Sequence, residues 1–146
     1  MDAQGASLAF FGHRQASLWQ DFGRASAVIG DPRRIVVLRR DGKVPRGLPR
    51  LLGCGSSVHA LALDELGFDR VPIGFSQIKA SLLDTIARDR AANPAAHRLI
   101  LAIDMDWGLQ TNTATANFEG WMAVAWEVAA ECDVTVVSLY NRSLLI

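Results

Sequence analysis

Lysine is scarce in this chain of 146 residues, because thirteen of its fifteen basic side chains are arginine. The two lysines are Lys43 and Lys79, so none stands near the first apolar run or the last one. A phosphate-binding P-loop needs a lysine directly after its first strand, and a receiver domain needs one at its last strand. The shortage of lysine therefore excludes both chemistries.

Cysteine, net charge and long apolar runs are also limited. Cys54 and Cys132 are too few and too far apart for a disulfide framework, which favours a reducing, cytoplasmic location. The formal net charge is zero, which argues against direct binding of nucleic acid. No apolar run approaches the ~20 residues of a membrane span, and the first residues do not resemble a secretory signal. We expect one cytoplasmic domain over residues 1–146.

Five short apolar runs are present, and each predicts a β-strand. They lack the polar alternation of half-exposed strands, which indicates strands buried on both faces of a parallel sheet. The predicted strands are Ala6–Phe11, Arg34–Leu38, Val58–Leu63, Leu99–Ile103 and Val134–Tyr140.

Helical patterns lie between these runs. Three segments carry apolar residues at helical spacing, and they are Ala16–Ile29, Ser76–Ala92 and Thr115–Glu131. Ser76 is the expected N-cap of the second helix, whereas Val44–Leu52 contains two prolines and predicts a broken helix or a loop. The alternation predicts a three-layer α/β sandwich, degenerate RecA- or Rossmann-like, with a mostly parallel sheet of about five strands.

Ligands of open α/β sheets bind beyond the carboxyl ends of the strands, so chemistry is expected there. Four such ends carry polar side chains: His13-Arg14, Arg39-Arg40-Asp41, Asp104-Met105-Asp106-Trp107 and Tyr140-Asn141-Arg142. Asp104 is placed like a Walker-B carboxylate, and Asp104 and Asp106 together match the D-x-D of aspartyl-phosphate phosphatases. Gly108 stands where that phosphatase motif has threonine or valine.

Metal and cofactor sites are not expected. His13, His59 and His97 show no metal-ligand spacing with one another or with the cysteines, and His59 is interpreted as a core histidine. The chain has four tryptophans, and their positions favour an aromatic-lined pocket. Trp121 falls in the buried stripe of the last helix and Trp126 at its margin, while Trp107 follows a strand and favours the wall of a small-ligand pocket.

Residues 98–141 carry an ordered set of features. The segment RLILAIDMDW spans residues 98–107, Phe118-Glu119 opens the next helix, and the last strand ends Leu139-Tyr140-Asn141. In order and spacing this resembles the MEDS (methanogen/methylotroph sensory) domain family, although Asn141 stands where the family has aspartate. The resemblance implies a degenerate RecA/KaiC-like fold without the Walker-A lysine. It also implies a sensory module that responds to a small ligand.

We therefore expect a non-catalytic sensory or signal-transduction domain that binds a small ligand or a regulatory protein at the strand carboxyl ends. A histidine kinase, a transcription regulator or a second copy of the chain is the expected protein partner. The expected ligand-binding residues are Arg14, Asp104, Asp106, Trp107, Glu119 and Tyr140.

Two alternatives stay open. One is a nucleotide- or phosphate-binding enzyme that uses Asp104 with Mg²⁺. The other is a structural domain that docks a partner through residues 41–57.

Overall fold

Parallel strands alternate with helices along the chain. The computed structural model describes residues 6–12, 15–27, 34–52, 57–70, 72–94, 99–109 and 114–141. The strands are β1 (Ser7–Gly12), β2 (Arg34–Arg39), β3 (Ser57–Ala62), β4 (Leu99–Asp104) and β5 (Thr135–Asn141). All of them pair in parallel in one sheet of order β1-β5-β4-β2-β3. The predicted α/β class and parallel sheet are confirmed.

Helices cover both faces of this sheet and complete a three-layer sandwich. They are α1 (Gln15–Ala27), α2 (Leu48–Leu52), α3 (Phe75–Ala92), α4 (Asp106–Leu109) and α5 (Ala114–Cys132), with a 3₁₀ turn at Leu63–Leu66. α1 and α2 bury Leu18, Phe22 and Leu48 against one face of the sheet, which we call the α1 face. α3 and α5 bury Leu82 and Trp121 against the opposite face, the α5 face. No described helix is both long enough and apolar enough to cross a membrane.

The central strands explain the unbroken apolar runs. Every residue of β4 is buried, and so are the four inner residues of β2, because helices pack on both of their faces. Alternate residues of one strand enter different cores: Ile35 contributes to the α1 face and Val36 to the α5 face. A strand in this position needs apolar side chains at consecutive positions.

Two local predictions were wrong. Ser76 does not cap α3, which begins at Phe75 after Gly74 and has no side-chain hydrogen bond at its N-cap. His59 is exposed rather than part of the core, because β3 is an edge strand whose faces are only partly covered. The segment predicted as a broken helix or loop contains a single short helix, α2, after Pro45.

Candidate functional site

The strand order places a topological switch point between β2 and β4. These two strands are neighbours in the sheet. The chain leaves β2 towards α2 on the α1 face, and it leaves β4 towards α5 on the α5 face. Oppositely directed connections open a crevice at the carboxyl edge, which is where doubly wound α/β proteins bind ligands. Arg39-Arg40 and the segment Asp104–Trp107 meet at this point.

Asp104 and Asp106 form a compact pair at the end of β4. The amide N–H of Asp106 donates to Oδ1 of Asp104 at 2.9 Å, and the intervening Met105 is anchored by its own N–H, which donates to Leu139 O at 3.0 Å. Asp104 is 6% exposed. This arrangement turns the backbone sharply out of the sheet into α4.

Burial makes both carboxylates of this pair weaker acids than usual. It raises the pKa of Asp104 from 3.8 to about 6, with a smaller contribution from the neighbouring Asp106 charge, while the Asp106 amide and Arg39 oppose the rise. Burial also raises the pKa of Asp106, and this rise is opposed by its hydrogen bond with Asp104 and by the charges of Arg40 and Arg39. The charged state of the pair is therefore favoured by Arg39, the last residue of β2, and by Arg40, which follows it.

Trp107 anchors an aromatic cluster on the α5 face. Its ring lies 4.8 Å from the ring of Phe68 and 6.5 Å from that of Phe75, centroid to centroid. Phe68 in turn lies 5.7 Å from Trp121, whose indole N–H donates to Ser138 Oγ at 2.8 Å. The Nε1 atom of Trp107 is buried and has no hydrogen-bond partner among the residues that the structure describes.

A cavity of about 360 Å³ opens beside the switch point, and we call it the switch-point cavity. Its apolar lining consists of the buried side chains Leu63, Phe68 and Trp107. Its charged lining consists of the exposed side chains Arg40, Asp64 and Asp69. An apolar floor with a few charged groups at the rim is the usual composition of a small-molecule site.

The structure brings three of the six predicted site residues together, namely Asp104, Asp106 and Trp107, and of these Trp107 lines the cavity. Tyr140 is placed elsewhere: it is buried in a stack between Phe11 and Phe118, at centroid distances of 5.0 Å and 5.1 Å. Glu119 is exposed on α5. Arg14 lies outside the described residues, as do Arg98 of the family-like segment and Gly53-Cys54-Gly55-Ser56.

The sequence interpretation missed four lining residues, which are Leu63, Asp64, Phe68 and Asp69. All of them follow β3, in a stretch that has no apolar periodicity and no match to the family-like pattern. Gly67 was an available signal, because it takes a left-handed φ of 97° and caps the 3₁₀ turn. That cap turns the chain so that Phe68 reaches the aromatic cluster.

A second cavity, of about 390 Å³, lies between β3 and α3. It is built around an ion pair in which Arg34 Nη2 lies 2.9 Å from Asp89 Oδ1, with both side chains largely buried. Arg34 begins β2, so this cavity is not at the carboxyl edge of the sheet. Within the described ranges, no group of three or more His, Cys, Asp or Glu side chains is placed to hold a metal ion.

Comparison of the chain with models of known protein families and with curated protein sequences gave no match. The geometry of the switch point is therefore the guide to function.

Proposed function

We propose that this chain is a cytoplasmic, non-catalytic sensory domain that binds a small organic molecule in the switch-point cavity. The observation that carries the proposal is the position of the cavity. It opens where the connections after β2 and β4 diverge, and Arg40 and Trp107 from those two connections both line it. Ligand sites of open α/β sheets concentrate at such points.

The charges around the cavity favour a neutral or cationic ligand. One arginine and two aspartates line the rim, and the Asp104–Asp106 pair lies behind Arg40 and adds negative charge. An anionic group such as phosphate would meet more carboxylates than cations. The faces of Trp107 and Phe68 also attract organic cations, and the indole N–H of Trp107 suits a ligand that carries a hydrogen-bond acceptor.

Aromatic packing supports a sensory role, because it connects the cavity to α5. Trp107 packs on Phe68, and Phe68 packs on Trp121 in the middle of α5. A ligand that repositions Trp107 would therefore act on the helix that forms one outer face of the domain. A histidine kinase or a transcription regulator is the kind of partner that would respond to α5.

Calorimetry with benzylamine as the probe tests the proposed ligand class. The double variant Asp64→Asn/Asp69→Asn removes the two rim charges at exposed positions, and we expect it to bind benzylamine roughly tenfold more weakly. Asp84→Asn is the matched control, because Asp84 is an exposed aspartate of α3 that does not line the cavity. Equal affinity of the double variant and the wild type would contradict the proposal.

A nucleotide- or phosphate-binding enzyme is the second candidate, and the adjacent carboxylates of Asp104 and Asp106 favour it. In such an enzyme these side chains would hold Mg²⁺ or act as nucleophile and acid. Its test is the release of phosphate from ATP or p-nitrophenyl phosphate in the presence of Mg²⁺. Turnover that Asp104→Asn abolishes and Asp84→Asn retains would replace the sensory proposal with this one.

A further inference from the structure

Among the residues that the structure describes, β1 is an edge strand of the sheet. β1 pairs with β5 on one side, and no described strand pairs with it on the other. Unpaired edges readily bind another strand, and proteins usually protect them with charged residues or proline. β1 has the sequence SLAFFG, which contains neither.

The hydrogen bonding of β1 shows which backbone groups point outward. The N–H of Val136 donates to the carbonyl of Ala6 at 2.9 Å. In a parallel pair, alternate residues of one strand bond to the same neighbour, so Ala6, Leu8 and Phe10 face β5. The backbone N–H and C=O groups of the alternate residues, Ser7, Ala9 and Phe11, therefore point away from β5 and out of the sheet.

Exposed apolar side chains flank this edge on both faces of the sheet. On the α5 face, Phe11 is 52% exposed, Met122 is 61% exposed and Trp126 is 71% exposed. Phe10 packs edge-to-face on Phe22 of α1, so Leu8, two residues earlier in the strand, also lies on the α1 face. Leu8 is 45% exposed. Monomeric proteins rarely expose a contiguous apolar surface of this kind.

Charge and symmetry indicate which partner fits. In the helix, Phe118, Met122 and Trp126 follow one another at intervals of four residues, while Glu127 and Glu131 turn the other way and pair with Lys79 of α3. On the side of α5 that carries Met122 and Trp126, the exposed charged side chain is Glu119, three residues before Met122. A two-fold axis at the level of Met122 would set the two copies of Glu119 about 9 Å apart along the helices, so the like charges do not meet. A two-fold axis presents the same surface twice, which requires this self-complementarity.

The size of the surface determines what has to hold two copies together. A six-residue strand is about 20 Å long, and the helix above it is about 10–12 Å thick. A strip of these dimensions covers roughly 200–250 Å², less than the ~800 Å² per partner of standard interfaces, so the main-chain hydrogen bonds of the paired edges have to supply much of the binding. The opposite edge, β3, is unlike β1 because the charged side chains Arg34, Glu65 and Arg88 line the groove beside it.

We propose that two copies of this chain form a two-fold symmetric dimer by antiparallel pairing of their β1 edges, centred on Ala9. The outward groups then match as Ser7 with the partner's Phe11 and Ala9 with the partner's Ala9. Ala9 lies beside Ser138, which bonds to Trp121, so the middle of α5 lies level with the axis. Met122 meets its own copy there, and Trp126 packs near the partner's Phe118.

Disulfide crosslinking tests the pairing and its register. In a background of Cys54→Ser and Cys132→Ser, Ala9→Cys places two Cα atoms about 5.5 Å apart across the axis, within the range of a disulfide. Ser7→Cys is the matched control, because its two copies would lie about 14 Å apart, four residues along the strands and one strand spacing across. We expect air oxidation to crosslink the Ala9→Cys chain and leave the Ser7→Cys chain monomeric on a non-reducing gel. Equal crosslinking of both, or of neither, would overturn the proposal.

Sedimentation equilibrium tests whether α5 contributes to dimerisation, and it does so independently of the switch-point cavity and its ligand. We expect the wild-type chain to be a dimer, and Trp126→Lys to weaken dimerisation about thirtyfold, the loss typical of a hot-spot residue. Ala87→Lys adds the same charge at an exposed position of α3, away from β1, and should stay dimeric. A monomeric wild type, or a Trp126→Lys chain that dimerises as well as Ala87→Lys, would contradict the account.

Discussion

The position of Asp104 in the fold disfavours the charged form of its carboxyl group. Its side chain is buried at the end of β4, and burial raises its pKa to about 6. The Asp106 amide and Arg39 offset part of this cost. The ionised form of Asp104 therefore destabilises the fold relative to the protonated form, and this difference can be measured by changing the pH.

The contribution of Asp104 to the stability of the fold should fall as the pH rises from about 4 to about 6. Below the unfolded-state pKa of 3.8 both states hold the proton, and between 3.8 and about 6 only the folded state holds it. The stability that protonated Asp104 contributes is therefore present at acid pH and is lost by the pH at which Asp104 ionises in the folded state. Asp104→Asn keeps an acceptor for the Asp106 amide and has no proton to lose. We expect it to be more stable than the wild type at pH 7.5, by on the order of 2–3 kcal/mol, and much closer to it at pH 4.5.

Urea denaturation at the two pH values measures this difference, with Asp84→Asn as the control for an exposed aspartate. If the free energies of unfolding of wild type and Asp104→Asn differed by the same amount at both pH values, the pKa of Asp104 would not be raised in the folded state. A less stable Asp104→Asn chain at pH 7.5 would show that its charge supports the fold.

At the scale of elements, the close contact between α5 and the start of α3 holds the aromatic cluster in place. A Cβ on Gly120 would lie 2.3 Å from Cε2 of Phe75, and Phe75 packs on Trp107. Glycine at this helical position lets Phe75 approach the backbone of α5. The wall of the switch-point cavity therefore depends on a residue that does not line it.

Gly120→Ala should destabilise the fold by roughly 1–3 kcal/mol, the usual cost of overpacking, although alanine is the better helix former. Thermal or urea denaturation measures the change. Adding Phe75→Val removes the clashing ring, so Gly120→Ala should cost less in that background than in the wild type. An equal cost in both backgrounds would show that Phe75 is not the cause.

The ion pair between β2 and α3 should contribute more than a surface pair of the same helix. Arg34 and Asp89 are largely buried and share two further hydrogen bonds from Nε, at 3.0 Å and 3.3 Å. Asp89→Ala should cost about 3 kcal/mol because it leaves a buried arginine unpaired. Asp84→Ala breaks the exposed pair with Arg88 and should cost under about 0.5 kcal/mol. Similar losses in urea denaturation would contradict this ranking.

The elements themselves were largely predictable, because burial on both faces of a strand leaves an apolar run that is visible in the sequence. β2, β4 and β5 follow their predicted spans within one or two residues. The 3₁₀ turn after β3 was not predictable in this way, since it is held by a glycine cap rather than by periodicity. That turn supplies Leu63 and Asp64 and precedes Phe68 and Asp69, so four of the six lining residues were missed.

At the scale of the whole molecule, strand order decides which side chains meet. Nothing in the local sequence states that β2 pairs with β4 or that β1 takes the edge. The pairing of β2 with β4 brings Arg40 to Trp107. The edge position of β1 puts Tyr140 into a stack with Phe11, away from the cavity where the sequence pattern placed it.

Nuclear magnetic resonance of the ¹⁵N-labelled indole groups tests the central claim, that the switch-point cavity binds a neutral or cationic organic molecule. Benzylamine, benzyl alcohol and benzyl phosphate share one apolar body and differ in charge. Trp107→Phe assigns the Trp107 signal by removing it.

We predict that benzylamine shifts the Trp107 signal saturably, that benzyl alcohol does so more weakly, and that benzyl phosphate leaves it unchanged. The Trp126 signal should stay in place with all three compounds. A Trp107 signal that responds to none of them, or most strongly to benzyl phosphate, would contradict the account.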